Sequence, residues 1–285
     1  MKIAISGSSG FVGTHLKNFL QERGDTVIPL TRSDFDAELP DSLQRKLAGC
    51  DAVINLAGSP INVRWTKQNK ELILNSRVEV TRKLVEAINR MEQKPAVFIS
   101  TSAVGYYPSN GVQTEQSESD PNAFLALVTR RWEAQAAEVS SDVRLVILRF
   151  AVVLGKEGGM LPVLLKSFSK RVGVMFGNGK QTFAWIHIDD LMQIFALMLR
   201  DRSLSGVFNC VAPGVTDFEA LTAEIGFYYK PFIRIQLPPF ILKLVFLEGA
   251  SFILQGQHAV PQRLSALGFR FKYPTLSEAM QAIFK

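Results

Sequence analysis

Two stretches of this chain hold residue types that do chemistry at a telling spacing. Between an apolar run, KIAIS (2–6), and a helical pattern through Phe11, Leu16, Phe19 and Leu20 lies SGSSGFVG (6–13), with Gly7, Gly10 and Gly13 three apart. Glycines at such a turn allow close backbone approach to a pyrophosphate and tight packing of helix on sheet. The helix N-terminus adds free N–H groups and the positive end of its dipole. A glycine triplet is weak evidence alone, but strand–turn–helix is the context a dinucleotide requires. The second stretch is ISTSAVGYYP (99–108), a strand that runs out into hydroxyl-bearing residues, Ser100, Ser102, Tyr106 and Tyr107.

The end of the next apolar run, PLTRSD (29–34), bears on which nucleotide is bound. An acid there reads a ribose 2′-hydroxyl. Here Thr31, Arg32 and Ser33 arrive before Asp34. An arginine flanked by hydroxyls suits a 2′-phosphate, so the residues predict NADP rather than NAD.

These groups need a scaffold, and the first half of the chain supplies one by alternation. Apolar runs at 26–30, 52–57, 96–100 and 144–148 are separated by helical patterns at 67–91 and 122–139 and a short one containing Leu43 and Leu47. Continuous rather than alternating apolar runs mean strands buried on both faces. With helices between them they predict an α/β fold, a doubly wound parallel sheet of Rossmann type. After about residue 155 the rhythm changes to glycine-rich segments, GKEGGMLPVLL and KRVGVMFGNGK, which read as loops with a short helix. A strand passing into a helix follows at 184–199, then a strand at 206–212, then TDFE (216–219), a helix N-cap with Glu three residues on. The pattern predicts a nucleotide-binding domain over 1–212, with loop insertions around 156–182, and a smaller C-terminal α/β lobe over 213–285.

Composition narrows the classes. The chain has 285 residues, 47% hydrophobic, enough for a large domain with or without a lobe. The net charge of +6 is scattered in sequence, densest at Arg130-Arg131 and Lys170-Arg171, so no nucleic-acid stripe is expected; the balance suits an anionic small molecule. Two cysteines exclude a disulfide scaffold and fit a reducing, cytoplasmic setting, and three separated histidines give no metal motif. The opening MKIAISGSSG does not read as a signal peptide. The most apolar stretch, 239–254, is interrupted by Lys243, Glu248 and Gly249. It is short of the roughly 20 residues of a membrane span and reads as a packed helix, in the core or at a subunit contact of a homo-oligomer.

SGSSGFVG, NLAG (55–58), a serine at the end of the fourth strand and WIHIDDL (185–191) resemble the extended, epimerase-type branch of the short-chain dehydrogenase/reductases. SAVGYY, RWEAQA, VILRFAVVLGKEGGMLP and RLSALGFRFKYPTLSEAM narrow the resemblance to an atypical subgroup with a C-terminal domain of unknown function. The resemblance implies that Gly7, Ser9, Gly10, Phe11 and Val12 line the pyrophosphate. It puts Leu56, Ala57 and Gly58 beneath the adenosine half and Ser100 and Ser102 near the nicotinamide, with Ser102 as the catalytic serine. RFAVVLG (149–155) would border the nicotinamide and substrate pocket.

The chain departs from that pattern where the family's chemistry sits. The family uses a Tyr followed four residues later by a Lys, the Tyr transferring a proton and the Lys lowering its pKa. None of the five tyrosines here has that Lys; Leu125 and Thr129 stand at the two positions. Tyr106 and Tyr107 are the candidate substitutes. Arg77 replaces the family's long-helix Asn near the cofactor and is, with Arg64, a candidate for an anion; FA (183–184) replaces an RD that commonly faces a substrate diphosphate. His187 and Asp189 read as scaffold. The resulting expectation is an NADP(H)-dependent oxidoreductase or epimerase-like protein for an unidentified small polar substrate, with Ser102, Tyr106 and Tyr107 as its catalytic candidates. A sensor that binds NADP(H) without turnover is the alternative.

Overall fold

In a computed structural model, which describes residues 1–36 and 40–285, the chain alternates as its apolar runs predict. The first part runs β1 (Lys2–Ser6), α1 (Phe11–Glu22), β2 (Thr26–Leu30), α2 (Pro40–Leu47), β3 (Ala52–Asn55), α3 (Lys67–Arg90) and β4 (Val97–Ala103). After β5 (Val112–Gln113) come α4 (Phe124–Ala137), β6 (Arg144–Phe150), β7 (Val152–Leu154), α5 (Leu161–Phe168) and β8 (Val172–Phe176). Next are β9 (Trp185–His187), α6 (Ile188–Arg200), β10 (Gly206–Cys210), α7 (Phe218–Tyr229), β11 (Ile233–Leu237) and α8 (Pro239–Phe246). The chain closes with α9 (Ala250–Leu254), β12 (His258–Ala259), α10 (Gln262–Ala266) and α11 (Leu276–Phe284).

Six strands form one parallel sheet in the order β10-β6-β4-β3-β1-β2. Both faces are covered, which is why the strands read as unbroken apolar runs. Ile3 and Ile5 of β1 pack with Leu16 and Leu20 of α1 and Phe195 of α6 on one face. Ala4, between them, packs with Leu84 and Ile88 of α3 on the other. The chain leaves β1 to one side for β2 and returns to the other for β3. The crevice at the carboxyl ends of β1 and β3 is therefore the topological switch point, where open α/β sheets bind ligands.

A second core lies beyond the sheet. Leu154, Leu161, Phe168 and Trp185 pack there with Phe218, Leu221, Ile225, Met280 and Ile283. The segment around 156–182, expected as loops with a short helix, supplies that helix as α5 and adds a strand, β8, which pairs in parallel with β11 across 56 intervening residues. This core draws on both sides of residue 212. The remaining C-terminal segment returns to the main core: β12 pairs with β5 in a separate two-stranded sheet, and Leu264 of α10 packs in that core. The apolar stretch 239–254 is not one helix. It breaks at Leu247, whose φ of 57° lies in the left-handed region, and resumes at Ala250.

His187 belongs to this scaffold. It caps α6, its Nδ1 accepting the Asp189 N–H at 3.1 Å, and its ring lies 4.1 Å from that of Tyr273. Burial pushes the imidazole pKa from 6.5 down to about 4. A folded pKa below the unfolded one gives stability that is full above about 6.5 and is lost as pH falls towards 4. Replacing His187 by Asn, which also caps helices, removes this part of the acid sensitivity. Urea unfolding across pH 4 to 7 should show wild-type stability falling more steeply towards acid than that of His187→Asn.

Candidate functional site

The glycine turn fits the switch point tightly. Gly7 has φ +70°, and a Cβ on it would lie 2.8 Å from the Leu56 carbonyl carbon, so only glycine lets this turn rest against the loop after β3. A Cβ on Gly13 would lie 2.2 Å from the Gly7 oxygen, which fixes how closely α1 packs under the turn. Ser9 and Gly10 are exposed and Val12 is half-buried. The α1 N-terminus has no side-chain cap, so its N–H groups remain available to a phosphate. The Phe11 ring turns away onto 155–159; Cβ atoms on Gly155 and Gly158 would clash with it at 2.7 and 2.5 Å.

Asn55, buried at the end of β3, holds the two loops together. Its Oδ1 accepts from Ser6 at 2.6 Å and from the Ala57 N–H at 3.2 Å, and its amide donates to Thr81 of α3 at 2.8 Å. Sequence reasoning passed over it, although it opens the NLAG motif.

At the far end of the crevice the β2 carboxylate is turned inward. Asp34 is buried and accepts from the Thr31 N–H at 2.6 Å, the Thr31 hydroxyl at 2.8 Å and Lys46 at 2.8 Å. Burial raises its pKa, but the bonds from Lys46 and Thr31 outweigh that and hold it below the usual value. Thr31, Arg32 and Ser33 face solvent, and Arg32 has no ion pair among the described residues. Arg32 fits a 2′-phosphate, and Asp34 already has partners.

Arg77 reaches from α3 behind Gly58, where a Cβ would sit 3.0 Å from its Cζ. Its guanidinium donates to the carbonyls of Ile73 at 2.9 Å and Ser59 at 3.0 Å and lies 5.4 Å from the Trp132 ring. Burial lowers its pKa to about 10, and no carboxylate pairs with it among the described residues.

Ser102 and Tyr107 belong to one buried hydrogen-bonded chain. Ser102 Oγ donates to Glu133 Oε1 at 2.6 Å. Arg149 grips the same carboxylate with two bonds, Nε to Oε1 at 2.8 Å and Nη2 to Oε2 at 2.7 Å. Its Nη1 donates to the Tyr107 hydroxyl at 2.7 Å, which in turn donates to Asn209 Oδ1 at 2.8 Å. Asn209 donates to the Val260 carbonyl, and Glu115 bridges the Asn209 and Arg263 N–H groups. Burial opposes the Arg149 charge, but the bonds and charge of Glu133 more than reverse that, holding the guanidinium above its ordinary pKa. Burial likewise raises the Tyr107 pKa. Tyr107 is fully buried with its hydroxyl proton committed, so as a proton donor to substrate it is corrected to a structural member of the chain. The Tyr106 ring lies 3.5 Å from the Arg149 Cζ and its hydroxyl has no hydrogen bond among the described residues. Ser100 Oγ is buried without a hydrogen-bond partner among the described residues.

Where the resemblance implies Tyr and Lys, α4 carries Leu125 against Gly105 and Thr129, whose hydroxyl donates to its own helix at Leu125 O and Ala126 O. One turn further along α4 comes Glu133. Neither it nor Arg149 was singled out from sequence, although an Arg inside the apolar run VILRF was a visible signal. A cavity of about 350 Å³ opens beside Gly105 and Leu125, walled by Trp65, Asp120, Glu248 and Gln257 among others. A second, of about 500 Å³ at Gly177, Gln236 and Pro239, shares no residue with the turn or the serine strand. No group of three or more His, Cys, Asp or Glu placed to hold a metal occurs among the described residues.

With this geometry in view, residues 3–210 match the NAD dependent epimerase/dehydratase family and 237–283 match a domain of unknown function, DUF1731. The chain belongs to the NAD dependent epimerase/dehydratase family. It is 36% identical to an Arabidopsis thaliana epimerase family protein, the chloroplastic SDR39U1 homolog, over 100% of this chain and 87% of that protein. It resembles the crystal structure of human epimerase family protein SDR39U1 with NADPH at 32% identity and a TM-score of 0.89, covering 99% of both chains. A nucleoside-diphosphate sugar epimerase from Corynebacterium glutamicum is 32% identical with a TM-score of 0.80, and the match covers 99% of this chain but 58% of that one.

The buried chain gives a contrast between two substitutions. Glu133→Gln leaves the Arg149 charge buried without a counter-ion and should cost about 3–5 kcal/mol. Tyr107→Phe removes one hydroxyl bridge and should cost about 1–3 kcal/mol. Urea unfolding measures both, and equal small losses would mean that the ion pair is not buried in solution.

Proposed function

We propose that the protein binds NADP(H) across the β1/β3 crevice and exchanges hydride with a small polar molecule in the cavity beside Gly105 and Leu125. The observation that carries the cofactor reading is the inward-turned Asp34, which takes both Thr31 donors and leaves Arg32, with Ser33 beside it, to meet a 2′-phosphate. The relative crystallised with NADPH supports it. Gly7, Ser9, Gly10, Phe11 and Val12 would hold the pyrophosphate by their backbone at the α1 N-terminus. Leu56, Ala57 and Gly58 would lie under the adenosine half, and Arg77 behind them would supply positive charge. Ser100, with a buried unpartnered hydroxyl, faces the same crevice end as Asn55 in the sheet register and would meet the nicotinamide half.

When bound, the nicotinamide would supply hydride-transfer chemistry; the protein's part is to orient, exclude water and move a proton. Ser102 is held by Glu133 and Tyr107 by Asn209, so among the three expected hydroxyls Tyr106 is the one left to exchange a proton, alone or through water. The same observation favours a second reading. With Ser102 held and Leu125 and Thr129 in place of Tyr and Lys, the protein would be an NADP(H) sensor without turnover.

Arg32→Ala should weaken NADP binding at least about tenfold, the loss of one charge-assisted contact, and leave NAD binding within about twofold, by fluorescence titration. An unchanged preference would overturn the NADP assignment. Incubating the NADPH-loaded protein with a panel of aldehydes, ketones, sugars and quinones separates the two readings. The enzyme reading expects NADPH oxidation that Tyr106→Phe slows at least about a hundredfold, in the range of general acid–base catalysis. Tight NADPH binding with no oxidation across the panel favours the sensor.

A further inference from the structure

Exposed apolar side chains are ordinary singly and informative when they cluster. Of the 13 large apolar side chains exposed among the described residues, eight lie on α5, α7, β11, α8 or the residues flanking them. They include Phe227 (73% exposed), Phe232 (85%), Phe240 (63%) and Leu244 (70%). Phe240 and Leu244 are four apart on α8 and so form one outward stripe, while Leu242 between them is buried. β11 adds Ile233 and Ile235, also exposed. β11 pairs with β8, Arg171 at the start of β8 lies 5.6 Å from the Phe232 ring, and α8 follows β11 after one proline.

The same unit is rich in exposed cations. Residues 158–188 and 225–247 contain seven Lys and Arg and no Asp or Glu; removing these seven from the chain's 32 leaves 25 against 26 acids. The lobe also holds the acids Asp217, Glu219 and Glu224 on α7 and at its cap, with Glu157 and Glu248 at its borders, so its positive character rests on exposed unpaired lysines and arginines. Lys180 pairs with Glu219, but Lys166, Lys170, Arg171, Lys230, Arg234 and Lys243 are exposed and form no ion pair among the described residues.

We propose that this lobe docks on an anionic lipid bilayer, lying on the surface with Phe240, Leu244 and the β11 side chains in the headgroup boundary and the lysines and arginines against the lipid phosphates. No helix among the described residues is long and apolar enough to cross a membrane. A second copy of the chain is disfavoured because two such faces would bring like charges together. A nucleic acid would meet the cations, but the exposed isoleucines and leucines offer no flat ring on which a base stacks.

The test is co-sedimentation of the full chain with vesicles of phosphatidylcholine containing phosphatidylglycerol, and with phosphatidylcholine alone. Binding is expected to the first only, and to fall with added salt. Phe240→Ser with Leu244→Ser should lower partitioning at least about tenfold while thermal unfolding stays near wild type. If that pair misfolds, Lys230→Glu with Arg234→Glu serves, and should abolish binding. No sedimentation with anionic vesicles, binding that both variants retain, or a wild-type dimer in light scattering that the serine pair dissolves would each overturn the proposal.

Discussion

A carboxylate and a guanidinium set side by side in the interior hold together the region where the family's chemistry is expected. Burying Glu133 and Arg149 takes two charges out of water, a cost offset only by good geometry and by partners for the remaining donors and acceptors. Both conditions are met. Two parallel bonds join the pair, Ser102 donates to the carboxylate, and Tyr107 accepts from the guanidinium. Through them α4, β4, β6, β10 and the C-terminal segment at Val260 are tied into one unit. The interaction also decides what the site offers a ligand, since the Ser102 proton already has an acceptor.

The two ends of the crevice follow one rule. At each, an acid is drawn inward by a neighbouring cation: Asp34 by Lys46, and Glu133 by Arg149. At the β2 end this leaves Arg32 outward with the Ser33 hydroxyl beside it, which suits an additional phosphate. At the serine end a fixed ionic scaffold stands where the Tyr–Lys relay was expected, leaving Tyr106 as the uncommitted hydroxyl among Ser102, Tyr106 and Tyr107. The cradle between them is set by backbone: Gly7 against Leu56, Gly13 under Gly7, and Asn55 latching both loops to α3.

Whatever depends on neighbouring residues was legible in the sequence. The apolar runs marked the six parallel strands because both faces are buried, and SGSSGFVG marked the turn because strand, glycines and helix are contiguous. What depends on distant residues was not. β8 and β11 have 56 residues between them, so the second core read as loops with a short helix and a separate lobe. Glu133 looks like a surface charge until α4 is laid across β6, and only then does Arg149, inside its apolar run, gain a partner. Tyr107 resembled a free acid because its partner Asn209 lies 102 residues away. The helix start expected at 216–219 is capped by Asp217 rather than Thr216, a slip of one residue between two good capping types. The stretch 239–254 has the composition of one packed helix, yet its break at Leu247 and its outward Phe240 and Leu244 follow from tertiary context.

A crystal structure of the protein with NADPH is the most direct measurement. The expected result is a 2′-phosphate hydrogen-bonded to Arg32, a nicotinamide facing the cavity beside Gly105 and Leu125, and Ser102 still donating to Glu133. Asp34 swung outward onto the adenosine ribose, or Ser102 released from Glu133 and bonded at the nicotinamide, would contradict it.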